Sequence, residues 1–172
     1  MMKKFGILLL GLSFFITSCS SDDDFEDTDT IGNNFLIENV EFNESNNFAI
    51  GFPLPTDFEL IAGDVVLVYR LENVVNGDEV WEPLPTAMFN FDENNDGIID
   101  NSLQYRFNYT FRDVDILIES LDPSALSAEF TRNQVFQIVT VPANIISQDL
   151  DIDFSDIKDV YNKLHLNING FE

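Results

Sequence analysis

Period-two alternation of apolar and polar residues dominates the chain from residue 35 onward. Phe35, Ile37 and Asn39 share one side of the first such run, and Leu103, Tyr105, Phe107, Tyr109 and Phe111 line one face of the clearest strand. Further strands are predicted over residues 47–53, 64–71, 79–82, 86–91, 113–119 and 134–141, separated by turn residues such as Asn76-Gly77-Asp78. Short strands at this spacing predict an all-β fold: a single antiparallel β-sandwich, immunoglobulin-like rather than barrel-like, with its connectivity open.

Two helical pieces interrupt the strand pattern. Asp122-Pro123-Ser124-Ala125-Leu126 places proline early after a capping aspartate and predicts one short turn linking strands. The second piece has Ser155 as its expected N-cap, with Ile157, Val160, Tyr161 and Leu164 spaced to share one face. Asp156 in its first turn and Lys163 in its last suit the helix dipole. Residues 165–168 are expected to return as a final short strand.

The amino-terminal segment follows a different rule. Lys3 and Lys4 precede an apolar stretch from Phe5 to Ile16, too short for a spanning helix and ending in small residues, which is the pattern of an export signal over residues 1–18. Ile16-Thr17-Ser18-Cys19 resembles a lipobox, and the resemblance implies that the Cys19 thiol receives diacylglycerol before cleavage leaves it as the first residue. Ser20-Ser21-Asp22-Asp23-Asp24-Phe25-Glu26 resembles the acidic surface-export signal of lipoproteins in the Bacteroidota, above all its flavobacterial form. That resemblance implies transport to the outer face of the outer membrane, whereas composition alone would equally describe a solvated spacer extended by self-repulsion. Residues 19–34 are accordingly expected to form a lipidated acidic tether, and residues 35–172 the sandwich domain. Within the tether, Asp29-Thr30-Ile31 resembles the O-glycan acceptor pattern of the same phylum, which makes Thr30 a candidate glycosylation site.

Seventeen phenylalanines and a 45% hydrophobic content give 172 residues enough apolar area for one folded domain, unlike a disordered acidic chain. Eight Lys and Arg against 31 Asp and Glu give a formal net charge of −23. Such a field repels phosphate backbones and anionic headgroups, so nucleic-acid binding and adsorption through a basic patch are not expected, and cations are the favoured small partners. The same acids also serve to keep an exported surface soluble. One cysteine permits no internal disulfide, so packing must supply the stability.

The most distinctive chemical motif is Asp92-Glu93-Asn94-Asn95-Asp96-Gly97-Ile98-Ile99-Asp100, which looks like the first nine positions of an EF-hand or dockerin-type calcium loop. The resemblance makes Asp92, Asn94, Asp96, Asp100 and the carbonyl of Ile98 candidate Ca²⁺ ligands, with Gly97 at the bend and Ile99 as an apolar contact. The family's bidentate acid at position 12 is replaced by Leu103, and the flanks read as strands, so weak binding outside a helix pair is what the motif predicts. An Asn/Asp/Gly-rich hairpin loop accounts for the same letters. Asp149, Asp151 and Asp153 alternate with Leu150, Ile152 and Phe154 and are expected on the solvated face of an edge strand. Trp81 beside Pro83 and Pro85 suits the core better than a carbohydrate platform, and His165 is expected to face solvent. No phosphate-cradling glycine loop and no His-Glu-x-x-His motif is present, and the only Cys is the lipid acceptor.

Three segments, Val65–Glu72, Val80–Pro85 and Asn133–Pro142, together look like a group of small flavobacterial lipoproteins with no established activity. Some of that group carry automatic labels such as dihydrolipoamide dehydrogenase or collagen-like protein. This sequence has neither the cysteine pair nor the Gly-x-y period those labels require. The expectation is a non-catalytic, lipid-anchored outer-membrane lipoprotein with a binding or structural role, partnered by envelope proteins or glycans. A carboxylate-based hydrolase of surface glycans and an accessory subunit of an outer-membrane assembly are the alternatives.

Overall fold

A computed structural model describes residues 32–56, 58–146 and 151–166. They form eight antiparallel strands in two sheets. One sheet has the order β1 (Asn33–Val40), β8 (Gln134–Val141), β3 (Val65–Val75) and β4 (Asp78–Pro83). The other runs β2 (Ala49–Pro53), β7 (Asp113–Glu119), β6 (Asn101–Tyr109) and β5 (Phe89–Phe91). This is the expected all-β sandwich, with first strand pairing last and second pairing second-last.

The sequence dictates which faces meet. Val66 and Val68 on β3, with Phe136 and Ile138 on β8, point at Leu103 and Tyr105 on β6 and Val114 and Ile116 on β7, all buried in one core between the sheets. Strands β3 and β8, however, are apolar at successive positions rather than alternate ones, which is the pattern of a strand covered on both faces. Their other residues, Tyr69, Val139 and Val141, form a second core with Ile157, Val160, Tyr161 and Leu164. Those four lie on or directly after α3 (Ile157–Lys163), so the molecule has three layers, with the helix packed on the outer face of the first sheet. Two hydrogen bonds fasten this layer: the Tyr69 hydroxyl donates to the Phe154 carbonyl at 2.8 Å, and Asn34 Nδ2 donates to the Tyr161 hydroxyl at 3.0 Å.

Local chemistry sets the connections. Asn76 and Gly77 have φ of +56° and +91°, the pair of positive values that a tight β3–β4 hairpin needs. Asp122 caps the 3-10 turn Pro123–Ala125, as its position before proline predicts. Two four-residue helices, α1 (Ala128–Thr131) and α2 (Ala143–Ile146), are too short to leave a periodic trace in the sequence.

Several expectations are corrected. The N-cap of α3 is Asp156, not Ser155, its carboxylate accepting from the Lys158 amide at 2.9 Å. Residues 151–153 are not a strand. Strand β5 covers only the last half of residues 86–91, and Thr86, outside it, bonds to Tyr105 of β6 through its backbone amide and its hydroxyl. His165 and Leu166 continue no strand; residues 167 and 168 lie outside the described residues.

Candidate functional site

The acidic loop joins β5 to β6, closing where Phe91 faces Asn101 and the Asp100 amide donates to the Phe91 carbonyl at 2.8 Å. Its side chains turn inward onto its own backbone. Asp92 Oδ1 accepts from the Asp96 amide at 3.1 Å and Oδ2 from the Gly97 amide at 2.9 Å. Asn94 Oδ1 also accepts from the Asp96 amide, at 3.1 Å, and Asp96 Oδ1 accepts from the Ile98 amide at 2.8 Å. Asp100 Oδ2 reaches across the loop to the Glu93 amide at 2.8 Å. Asn95 at φ +57° and Gly97 at +86° supply the left-handed bends this wrapping needs.

The Asp92 and Asp96 oxygens are thereby engaged by loop amides, and a carboxylate oxygen that accepts one amide keeps a second lone pair for a cation. Among the described residues, no three His, Cys, Asp or Glu side chains gather into a set that could hold a metal ion. Position 12, Leu103, is fully buried in the core, so no acid closes the loop from that side. Ile99 does not provide the anticipated apolar contact: it is 45% exposed, beside Ile98 at 65%.

The remaining carboxylates named from sequence do not assemble a site. Asp151 and Asp153 are exposed, and Asp149 lies outside the described residues. Asp153 Oδ1 accepts from the Ser155 hydroxyl and amide, contacts that hold its carboxyl below the ordinary range. Asp122 is lowered in the same way by the Ser124 hydroxyl. Trp81 packs against the outer core and donates from Nε1 to Glu79 at 3.0 Å. His165 is exposed.

One polar group inside the sandwich escapes the sequence reading. Arg70 follows Val66 and Val68 on the inward face of β3, so its guanidinium enters the core. There Nε donates to Gln134 Oε1 at 2.8 Å, and Cζ stands 4.5 Å from the centre of the Tyr105 ring. The Tyr105 hydroxyl donates to the Phe130 carbonyl at 2.5 Å, and burial pushes its pKa up to about 12. Gln134 Nε2 donates to the Glu129 and Arg132 carbonyls, both at 2.8 Å. Glu82, across from Arg70 on β4, is the loose member: its Oε2 is buried, accepts no hydrogen bond, and lies 4.0 Å from Arg70 Nη1. Burial raises its pKa most, the Glu72 charge adds to this, and Arg70 and the Ala87 amide oppose it. The parity of Val66, Val68 and Arg70 was the available signal.

A groove of about 710 Å³ lies at one end of the sandwich, lined by residues 54–56, 58–62 and Phe111 and Arg112 of the β6–β7 turn. Cys19, Asp22, Asp23, Asp24, Phe25, Glu26 and Thr30 lie outside the described residues. Compared with protein-family models, curated proteins and solved structures, the chain matches none.

Proposed function

We propose that the chain is a lipid-anchored envelope lipoprotein on the cell surface, related to the small flavobacterial group named above, whose sandwich works by binding or structure rather than catalysis. The observation that carries this reading is Cys19 placed directly after the apolar Phe5–Ile16 stretch that follows Lys3 and Lys4. Acylation is the chemistry that a thiol directly behind an export stretch serves. The acidic run behind it and the strongly negative body suit a domain held away from anionic surfaces by its charge and at a bilayer by its acyl chains. Cys19→Ala is expected to leave the protein unlipidated and unprocessed; mass spectrometry that finds a free thiol at residue 19 of the native protein overturns the reading. Deleting residues 22–26 is expected to hide the domain from protease added to whole cells.

A second reading, weak Ca²⁺ binding by the Asp92–Asp100 loop, is favoured by one observation: the loop already wraps its oxygens inward around Gly97. Millimolar Ca²⁺ is then expected to raise the melting temperature of the wild type but not of Asp92→Ala/Asp96→Ala. A melting curve indifferent to Ca²⁺ removes this reading and leaves the first intact.

A further inference from the structure

The strand register places the entry of the chain and this groove at the same pole. Asn33 faces Thr140 at the start of β1, Val65 faces Val141 at the start of β3, Pro53 faces Asp113 at the end of β2, and Tyr109 faces Val114 at the end of β6. The connection over residues 54–64 and the turn at 110–112 therefore cap the end at which Gly32 enters. Direct contact supports this: the Phe35 ring on β1 lies 5.7 Å from that of Phe58 in the groove wall.

This pole is apolar where it faces outward. Phe111 is 61% exposed, Tyr109 47% and Ile61 45%, around a groove walled by Leu54, Phe58 and Leu60. Tyr109 ends β6 on the parity of Leu103, Tyr105 and Phe107, and Phe111 stands in the turn that follows. Two of the acids nearby are committed to the protein itself. Asp64 accepts from the Ile61 and Ala143 amides, both at 3.0 Å, and Asp113 is bonded by the Thr110 hydroxyl. The described groove lining carries one acid, Glu59, and one cation, Arg112, adjacent to Phe111. Aromatic rings beside a guanidinium suit the boundary between acyl chains and phosphate headgroups.

We propose that this anchor-side pole, through Phe111, Tyr109, Ile61 and Arg112, docks onto the zwitterionic lipid interface in which the acyl chains on Cys19 are embedded. The inference rests on the lipid-anchor reading. Thirteen peptide steps separate Cys19 from Gly32, a reach of at most about 47 Å, and the tether joins the domain at this pole. Tethering supplies an effective concentration on the order of millimolar, at which a contact too weak to bind free protein becomes populated. A second copy is the poorer occupant, because each copy carries −23.

The test couples residues 19–172 through Cys19, the only cysteine, to a maleimide lipid in phosphatidylcholine vesicles. Trp81→Phe removes the only tryptophan, and Phe111→Trp or, at the opposite pole, Leu121→Trp provides a single reporter. With brominated acyl chains, the Phe111→Trp emission is expected to shift blue and be quenched, while that of Leu121→Trp stays unchanged; adding Ile61→Asp restores the Phe111→Trp emission. Unquenched Phe111→Trp, or equal quenching at both poles, overturns the proposal. So does an emission that shifts with protein density in unbrominated vesicles, which would mean a second copy covers the patch. Because the coupling supplies the anchor chemically, these outcomes do not depend on whether the cell acylates Cys19, which the mass of the native protein decides separately.

Discussion

Glu82 shows how a single buried oxygen sets a local energy balance. Its carboxylate is drawn inward by its place opposite Arg70 on β4, yet Oε2 finds no donor and the guanidinium stays 4.0 Å away, satisfied by Gln134 and the Tyr105 ring. The charged form is thus paid for in desolvation that the pair does not return. With a folded pKa raised above its unfolded value, Glu82 favours the folded state at a pH below the ordinary carboxylate range, and that advantage fades as pH rises through the folded value. Glu82→Gln removes the ionisation and keeps the shape. We expect its melting temperature to match the wild type below the ordinary carboxylate range and to gain on it as pH rises above that range, the other acids cancelling in the difference. A difference that stays flat with pH would mean the charge is well solvated. The inward turn of Arg70 went unread although its parity with Val66 and Val68 carried the signal; its partners left no such signal, because Gln134 and Tyr105 lie far along the chain and meet it only through strand order.

Among the elements, β7 and β8 occupy residues 113–119 and 134–141 as predicted, whereas the helix start and the acidic run before it were misread. Ser155 and Asp156 are both good caps, and sequence cannot rank neighbours of equal chemistry. Asp151, Ile152 and Asp153 do alternate, but Ile152 packs against the outer core from irregular backbone while Asp153 holds Ser155, so side-chain alternation there records an anchor and a cap instead of a pleat. The inward-wrapped Asp92–Asp100 loop, by contrast, was legible from its Asn, Asp and Gly positions, though the exposure of Ile98 and Ile99 was not. For α3, seven residues long, propensity alone is marginal and the cap matters. Asp156→Ala is expected to destabilise the domain by about 1 kcal/mol, and Ser155→Ala by less, read from urea midpoints with unchanged slope. Equal losses would restore Ser155 as a second capping group.

At the scale of the whole molecule, the two cores are joined through shared strands. Inward residues of β3 and β8 sit beside outward neighbours in the second core: Val68 beside Tyr69, Ile138 beside Val139. Neither core can loosen without tilting strands that the other holds, which argues against a helix layer that peels off before the sandwich melts. Trp81 packs against the outer core and gives it an optical reporter, while far-ultraviolet circular dichroism follows the strands of both sheets. The two signals are expected to trace one transition at one midpoint. Val160→Ala, in the helix, and Val114→Ala, on β7 in the inner core, should each cost about 2 kcal/mol and lower that shared midpoint by roughly 5 °C. An outer-layer variant that moved the Trp81 signal to lower temperature while the strand signal held its place would show that the helix is an independently melting cover, and the three-layer unit would have to be redrawn as a two-sheet sandwich with an appendage.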